Sequence, residues 1–320
     1  MATILRIVFL ALLALPLSGL GQAFPSKPIR LVVPYAAGGA VDAVCRPLAQ
    51  KMTELTGQPV ILDNRPGGNT TIGAAIVAKS APDGYTIIMT SINHYIVPFF
   101  SKNVPYDTVK DFTPIVMVTI VPNIVAVHPS LPIHSVKELI EYAKANPQKM
   151  YYGTTGIGST HHLGGVMLAQ MAGIEIEHVP YKGGNPTISD VLAGSIPMAI
   201  LTATTILPHA RQGRLRALGV IEGKRARAAP ELPSIGEVVP GYAIPDTWLG
   251  VLGPAGVPRP VAESLNAIIR KAISAPDLKP RLEGLGFDVT GSTLDEFAAA
   301  VRSDTEVIRQ IVTTAGIKPE

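Results

Sequence analysis

Short continuous apolar runs alternate along this chain with segments whose apolar positions recur every three or four residues. The first pair sets the pattern: Ile29-Arg30-Leu31-Val32-Val33, followed by Val44, Leu48, Met52 and Leu55. A β-branched run of that kind reads as a buried parallel strand, and the three-four spacing reads as one face of a helix. The same reading predicts further strands over 59–62, 85–89, 150–152, 176–180, 196–202, 215–221 and 248–252. Helices are predicted over 70–79, 135–145, 163–171, 204–211, 258–274, 277–283 and 294–313, with a short one ending at Leu192. Ser135 and Glu138 give the fourth-position pair of a capping box. The apolar stretch from Ile115 to Val127 exceeds one ordinary strand and is interrupted by Pro122. It is expected to cross from one domain to another, and the strand at 248–252 is expected to cross back. The fold class is therefore α/β with two lobes, each a mainly parallel sheet flanked by helices, and a hinge crossed by two strands. Lobe 1 is expected over 24–123 plus 247–320, and lobe 2 over 124–246.

The loops between strands and helices carry the candidate chemistry. Pro34-Tyr35-Ala36-Ala37-Gly38-Gly39-Ala40-Val41-Asp42 follows the first strand and opens the first helix. Glycines permit positive φ and close backbone approach, and Asp42 is placed to cap the helix. The unpaired N–H groups of such a turn, with the helix dipole behind them, seat an anion. An organic carboxylate is the expected occupant. Ser91, Asn93 and His94 lie at the carboxyl end of the third strand, the end where open α/β sheets bind ligands. A second glycine loop runs from Gly153 to His162, and a third is Tyr181-Lys182-Gly183-Gly184-Asn185-Pro186. Each adds backbone donors, and Ser91, Thr154, Ser159 and Thr160 add hydroxyls; such groups hold a carboxylate without a buried cation. Lys182 and Arg46 either assist or stand in solvent.

The amino terminus changes the picture. One arginine, then an almost wholly apolar stretch from Ile7 to Leu17, then Gly21-Gln22-Ala23 make a secretory leader cleaved near Ala23. The apolar part is short for a membrane span and no stop-transfer segment follows. The chain is 47% hydrophobic and 16% charged, which fits a filled globular core. Removing Arg6 with the leader leaves 26 basic against 24 acidic side chains, a balance that argues against nucleic acid. The local cluster Lys224-Arg225-Ala226-Arg227 reads as a solvated loop. Cys45 has no internal partner and reads as a buried thiol.

Several chemistries find no support. The segment 153–160 approaches a phosphate loop, but Ser159 stands where the lysine must be, and no Gly-x-Gly-x-x-Gly or Gly-x-Ser-x-Gly motif is present. Adjacent His161 and His162 diverge on a helix, and no metal-ligand spacing exists. Nothing selects a pair among Asp42, Asp190 and Asp246 for acid/base work. The chain is thus read as no enzyme, with no cofactor and no metal.

Several segments together resemble a known family: Pro25-Ser26-Lys27-Pro28-Ile29, Pro34 to Asp42, Asn64-Arg65-Pro66-Gly67, Pro82-Asp83-Gly84-Tyr85, Pro105-Tyr106-Asp107, Lys110-Asp111-Phe112, 178–184, Leu207-Pro208-His209 and Gly253-Pro254-Ala255-Gly256. They are similar to the Bug-type extracytoplasmic solute-binding proteins of tripartite tricarboxylate transporters, over essentially the whole exported chain. The resemblance implies a periplasmic Venus-flytrap fold that closes over a small di- or tricarboxylate, amino acid or aromatic acid. It implies a membrane permease as partner, a monomer, and no insertion of the mature chain into the membrane. On matching positions it implies Tyr35, Ala37, Gly38, Gly39, Asp42, Ser91, His94, Thr154, Gly158, Ser159, Thr160, Tyr181, Lys182, Gly183 and Gly184 as ligand-binding residues. Three departures stand out. Ala36 and Ala37 replace prolines common before the glycine pair, and Pro47 falls early in the first helix, where an irregular start is expected. Ile200-Leu201 replaces a common Phe-Asp pair, which points away from amino acids and towards an acidic or partly apolar carboxylate. Two other readings remain: an exported carboxylate sensor that presents its liganded form to a signalling partner, and an exported enzyme acting on a carboxylate.

Overall fold

The computed structural model describes residues 24–316 apart from 148 and 315, so the predicted leader lies outside the described residues. The chain begins with β1 (Ile29–Val33), α1 (Ala40–Thr56), β2 (Val60–Asn64), α2 (Thr71–Ala78) and β3 (Thr86–Ser91). A short turn of helix, α3 (Asn93–Ile96), leads to β4 (Phe112–Ile120). Then come β5 (Asn123–Val127), α4 (Val136–Ala145), β6 (Tyr151–Thr154), α5 (Thr160–Ala172), β7 (Glu177–Pro180), α6 (Gly184–Leu192), β8 (Met198–Thr202), α7 (Ala203–Ala210) and β9 (Arg216–Val220). The chain ends with β10 (Trp248–Pro254), α8 (Arg259–Ile273), α9 (Lys279–Gly284), β11 (Asp288–Val289) and α10 (Leu294–Thr314).

The strands form two sheets, ordered β11-β4-β10-β3-β1-β2 and β7-β6-β8-β5-β9. The apolar stretch at 115–127 does divide between them. β4 belongs to the first sheet and β5 to the second, and the break falls at Val121-Pro122, because proline lacks the N–H a continuous strand would need. β10 returns to the first sheet. Parallel pairing holds where strand and helix alternate, among β1, β2 and β3 and among β6, β7 and β8. The strands beside the crossings pair antiparallel: β10 with β3 and β4, and β5 with β8 and β9. Both sheets are therefore mixed, since a chain that enters and leaves a lobe reverses direction there.

Each sheet is packed on both faces. Ile29, Leu31 and Val33 meet Val44, Leu48 and Met52 of α1 with Leu265 and Ile269 of α8, while Val32 and Ile88 face the opposite layer with Trp248 and Phe297. The buried Cys45 lies in the first of these layers, where burial pushes its thiol well above the usual range. α1 runs unbroken through Pro47, with its apolar face on the sheet. In the second lobe α5 approaches β6 through Gly165, where a Cβ would collide with the ring of Tyr152. Ser135 caps α4 through the Glu138 N–H at 3.1 Å, while the Glu138 carboxylate reaches back to the His134 N–H. The basic segment at 224–227 is exposed at its charged positions and pairs Lys224 with Asp246, Arg225 with Glu237 and Arg227 with Asp288.

Candidate ligand-binding site

An indirect chain of contacts links the three glycine loops across the cleft between the two lobes. From the first loop, the Tyr35 hydroxyl pairs with Ser91 Oγ at 2.8 Å, and the Asn93 N–H donates to Ser91 Oγ at 3.3 Å. Asn93 Oδ1 accepts from the Thr160 N–H at 3.1 Å, across to the second lobe. Thr187 on α6 donates to the carbonyls of Thr154 at 3.1 Å and Gly183 at 2.8 Å, joining the second loop to the third. Gly184 faces Thr205 of α7, and Ala203 and Thr204 of α7 line a common cavity with Ala40 and Ala43 of α1. A second bridge between lobes runs from Asn69 Nδ2 to the Ile157 carbonyl at 3.1 Å.

Backbone conformation shapes the first loop. Gly38 sits at φ +80°, which L side chains resist, and Gly39 precedes the helix in an extended conformation. Among the described residues no hydrogen-bond partner meets the N–H groups of Gly39, Ala40 and Val41, and residues 37–40 are exposed. These are the orphan donors at the positive end of a seventeen-residue helix. α6 opens in a similar way after Gly183, with no side-chain cap.

The hydroxyls and carboxylates expected to face a ligand are largely turned into the loops themselves. Asp42 accepts from the Gly38 N–H at 3.1 Å and pairs with Arg46 at 3.0 Å, so it braces the turn from below. Burial opposes its charge, but the Gly38 N–H and the Arg46 guanidinium prevail and hold its carboxyl below the usual range. Thr154 Oγ1 pairs with His178 Nε2 at 2.7 Å and accepts from the Gly156 N–H at 3.1 Å. Ser159 is the cap of α5, accepting from the His162 N–H at 3.2 Å and donating to the Gly156 carbonyl at 2.7 Å. The Tyr181 hydroxyl donates to Asp190 at 2.6 Å, and Lys182 is exposed. The site thus presents backbone N–H groups, held in place by side chains. Because the Ser159 hydroxyl is a cap, Ser159→Ala is expected to lower unfolding stability by about 1 kcal/mol, read as a denaturant midpoint shift.

His94 is a correction. The structure does not bring it to the cleft, because the polar stretch after β3 continues as α3 and turns that ring inward. It is fully buried, stacked on Tyr106 and set edge-on to Phe112, with Nε2 at 3.1 Å from the Thr108 carbonyl. Burial drops its pKa to about 4. The Leu201 side chain is buried with Ile124, Ala203 and Ile206 under α7. The cleft end of that strand is carried by Thr202, whose hydroxyl meets those of Thr204 at 2.8 Å and Thr205 at 3.0 Å.

The adjacent histidines diverge as the helical reading requires. His162 stacks on His178 with ring centres 4.0 Å apart and abuts Phe100 of the first lobe. His161 points to the crossing segments, where its Nε2 lies 2.8 Å from Asn123 Oδ1. An amide oxygen only accepts, so Nε2 carries the proton and Nδ1 accepts from the Thr155 hydroxyl at 2.9 Å. Asn123 Nδ2 in turn donates to Glu222 at 2.8 Å and Thr247 at 2.6 Å, tying both crossings to the start of α5. Sequence reasoning gave no sign of this cluster, nor of Asn69 at the cleft. The only signal was polar residues placed inside or beside apolar strand ends.

Comparison with known proteins agrees with this architecture. Residues 44–317 match the model of the tripartite tricarboxylate transporter family receptor. A UPF0065 protein from the tcbD–tcbE intergenic region of Pseudomonas sp. strain P51 is 39% identical over 293 residues, 91% of this chain and 87% of that one. Among solved structures, R. palustris Rpa4515 with adipate superposes with a TM-score of 0.85 at 33% identity, covering 93% of this chain and 100% of that one. MatC from Rhodopseudomonas palustris with bound malate gives 0.80 at 27% identity, covering 90% and 100%. The fold and site define a two-lobed solute receptor. The chain belongs to the tripartite tricarboxylate transporter receptor family, as its motifs suggested.

Proposed function

We propose that this chain is exported to the periplasm, loses residues 1–23, and captures a small organic carboxylate between lobes at 24–123 plus 247–320 and 124–246. The observation that carries this reading is the exposed, unpartnered N–H row at the start of α1, where Ala40 lines a cavity shared with α7 of the other lobe. Such a row binds a carboxylate through hydrogen bonds and the helix field. The acid of the first loop, Asp42, is already matched by the Arg46 guanidinium, so an ammonium group would find no free counterion in that loop. This favours a ligand that is purely acidic or partly apolar over an amino acid. The adipate and malate carried by related structures support the same class. Ligand that touches both lobes stabilises the closed form through its higher affinity for that form, and a membrane permease then recognises the closed receptor. The chain binds and releases its ligand unchanged. Among the described residues no helix is long and apolar enough to cross a membrane, so delivery requires a membrane subunit.

The test is a thermal-shift titration of exported protein, unfolded and refolded to strip carried ligand. Saturable stabilisation by one carboxylate class is the expected result. Folded protein that responds to no carboxylate, amino acid or aromatic acid would overturn the reading.

A further inference from the structure

Two hydrogen bonds tie the second glycine loop to the first lobe, and they differ in their place relative to the crossings. The inner one runs from the Thr160 N–H to Asn93 Oδ1 at 3.1 Å. Asn93 follows Ile92, whose N–H donates to the Trp248 carbonyl of β10 at 3.3 Å. Thr160 precedes His161, whose ring meets Asn123 of β5 at 2.8 Å. Both partners are thus anchored to the crossing strands, so this bond sits at the pivot. The outer one runs from Asn69 Nδ2 to the Ile157 carbonyl at 3.1 Å, between two solvent-exposed residues with no such anchor. A rotation of the lobes about the crossings barely displaces the first bond and parts the second.

The backbone on both sides is shaped for the outer contact. Asn69 at φ +50° and Thr70 at φ +78° are the non-glycine residues of left-handed conformation among the described residues. Asparagine tolerates that region, but a β-branched threonine resists it. The Thr70 hydroxyl is buried and meets no partner, so no polar contact of its own holds it there. Strain of this kind persists only where the surroundings impose it, and here the strained turn presents the Asn69 amide to the other lobe. On the facing side Gly158 sits at φ +74°, and a Cβ there would lie 3.1 Å from Asn69 Nδ2 and 3.3 Å from Phe100 Cβ. The lobes meet closely at this point because residue 158 has no side chain. We infer that Asn69 is a positioning residue that clasps the lobes over ligand without touching it, its bond to Ile157 forming as they close about the Asn93–Thr160 pivot. Such a clasp favours the closed form whatever carboxylate lies inside, so it scales every affinity alike and slows departure, not arrival. A residue in contact with ligand would instead reorder the carboxylates.

This inference rests on the receptor reading above, and the experiment separates the two. Asn69→Gly is the sharp variant, because glycine accepts the left-handed backbone and the change deletes the amide. Calorimetry and stopped-flow kinetics on refolded exported protein would compare adipate, malate and citrate. The expected result is an affinity loss of about threefold to tenfold, the worth of one neutral hydrogen bond, equal for every carboxylate that binds. Dissociation is expected to quicken by the same factor, with association unchanged. Residue 69 is exposed, so the unliganded variant is expected to melt within about 2 °C of the parent. Arg227→Ala is the control: it cuts the 3.9 Å pair of an exposed side chain with Asp288, also between the lobes, and is expected to leave affinity unchanged. Parent affinity in Asn69→Gly, a loss that differs among the carboxylates, or one carried by slower association would overturn the clasp and leave the receptor standing. Absence of binding by the parent would overturn the receptor reading itself, and small-angle scattering then decides the clasp. A larger radius of gyration in Asn69→Gly than in the parent would support it, and equal radii would overturn it.

Discussion

Gly39→Val is expected to reduce carboxylate affinity by tenfold to about a hundredfold while leaving the melting temperature within about 2 °C of the parent. The two halves of this outcome come from different observations. A Cβ at Gly39 would meet only the Ala36 carbonyl, at the ordinary distance of 3.5 Å, and the residue is extended at negative φ, so the fold accepts a side chain. The position is exposed at the mouth of the N–H row, so a β-branched side chain takes the space a carboxylate needs. Hydrogen bonds to a charged group contribute about 1.5–3 kcal/mol each, and displacing one gives at least a tenfold loss. Titration calorimetry beside a melting curve checks both halves, and unchanged affinity would remove the first loop from the site. Gly38→Val would be a poorer probe, because φ of +80° strains any L residue and mixes folding with binding.

The loops were readable for the same reason that they are addressable by mutation. A strand, a glycine pair and a helix start are local features, and β1 followed by α1 needs no distant contact to be recognised. The crossing at Pro122 was legible because a proline inside an apolar run cannot continue a strand. The orientation of side chains was not. Ser159 and Thr154 look alike in sequence to free hydroxyl donors, and only the folded loop shows them consumed by His162, Gly156 and His178. His94 follows a strand end, as a site residue would, yet one helical turn directs it into Tyr106 and Phe112. β11, at Asp288–Val289, is two residues long and gives no period to detect. The Asn123 cluster was invisible because its other members lie 38, 99 and 124 residues away along the chain and meet only when both crossings are in place.

That cluster gives the largest expected effect on stability. Asn123 is fully buried and its amide joins His161, Glu222 and Thr247, all nearly buried as well. Asn123→Ala removes three side-chain hydrogen bonds and leaves a buried imidazole N–H, a carboxyl and a hydroxyl short of partners. Each orphan costs about 1–3 kcal/mol, so a loss of at least about 3 kcal/mol is expected, visible as a large fall in the denaturant midpoint. Glu222→Gln behaves differently, because the amide oxygen still accepts from Asn123 and only the titration is lost. Burial pushes the Glu222 carboxyl up to about 8 against the opposing Asn123 hydrogen bonds, with Asp246 adding to the rise. Between the ordinary carboxyl range near 4.5 and that raised value, the folded state holds a proton the unfolded state has released. This contribution to stability is therefore present at about pH 4.5, falls as pH rises to about 8, and is level beyond. Glu222→Gln abolishes the slope, so the variant is expected to gain on the parent steadily from pH 5 to pH 8 in paired urea titrations. A difference between the two that does not change with pH would show that Glu222 is ionised in the folded protein throughout. The crossings would then hold a buried charge, and Asn123 would serve chiefly as its donor.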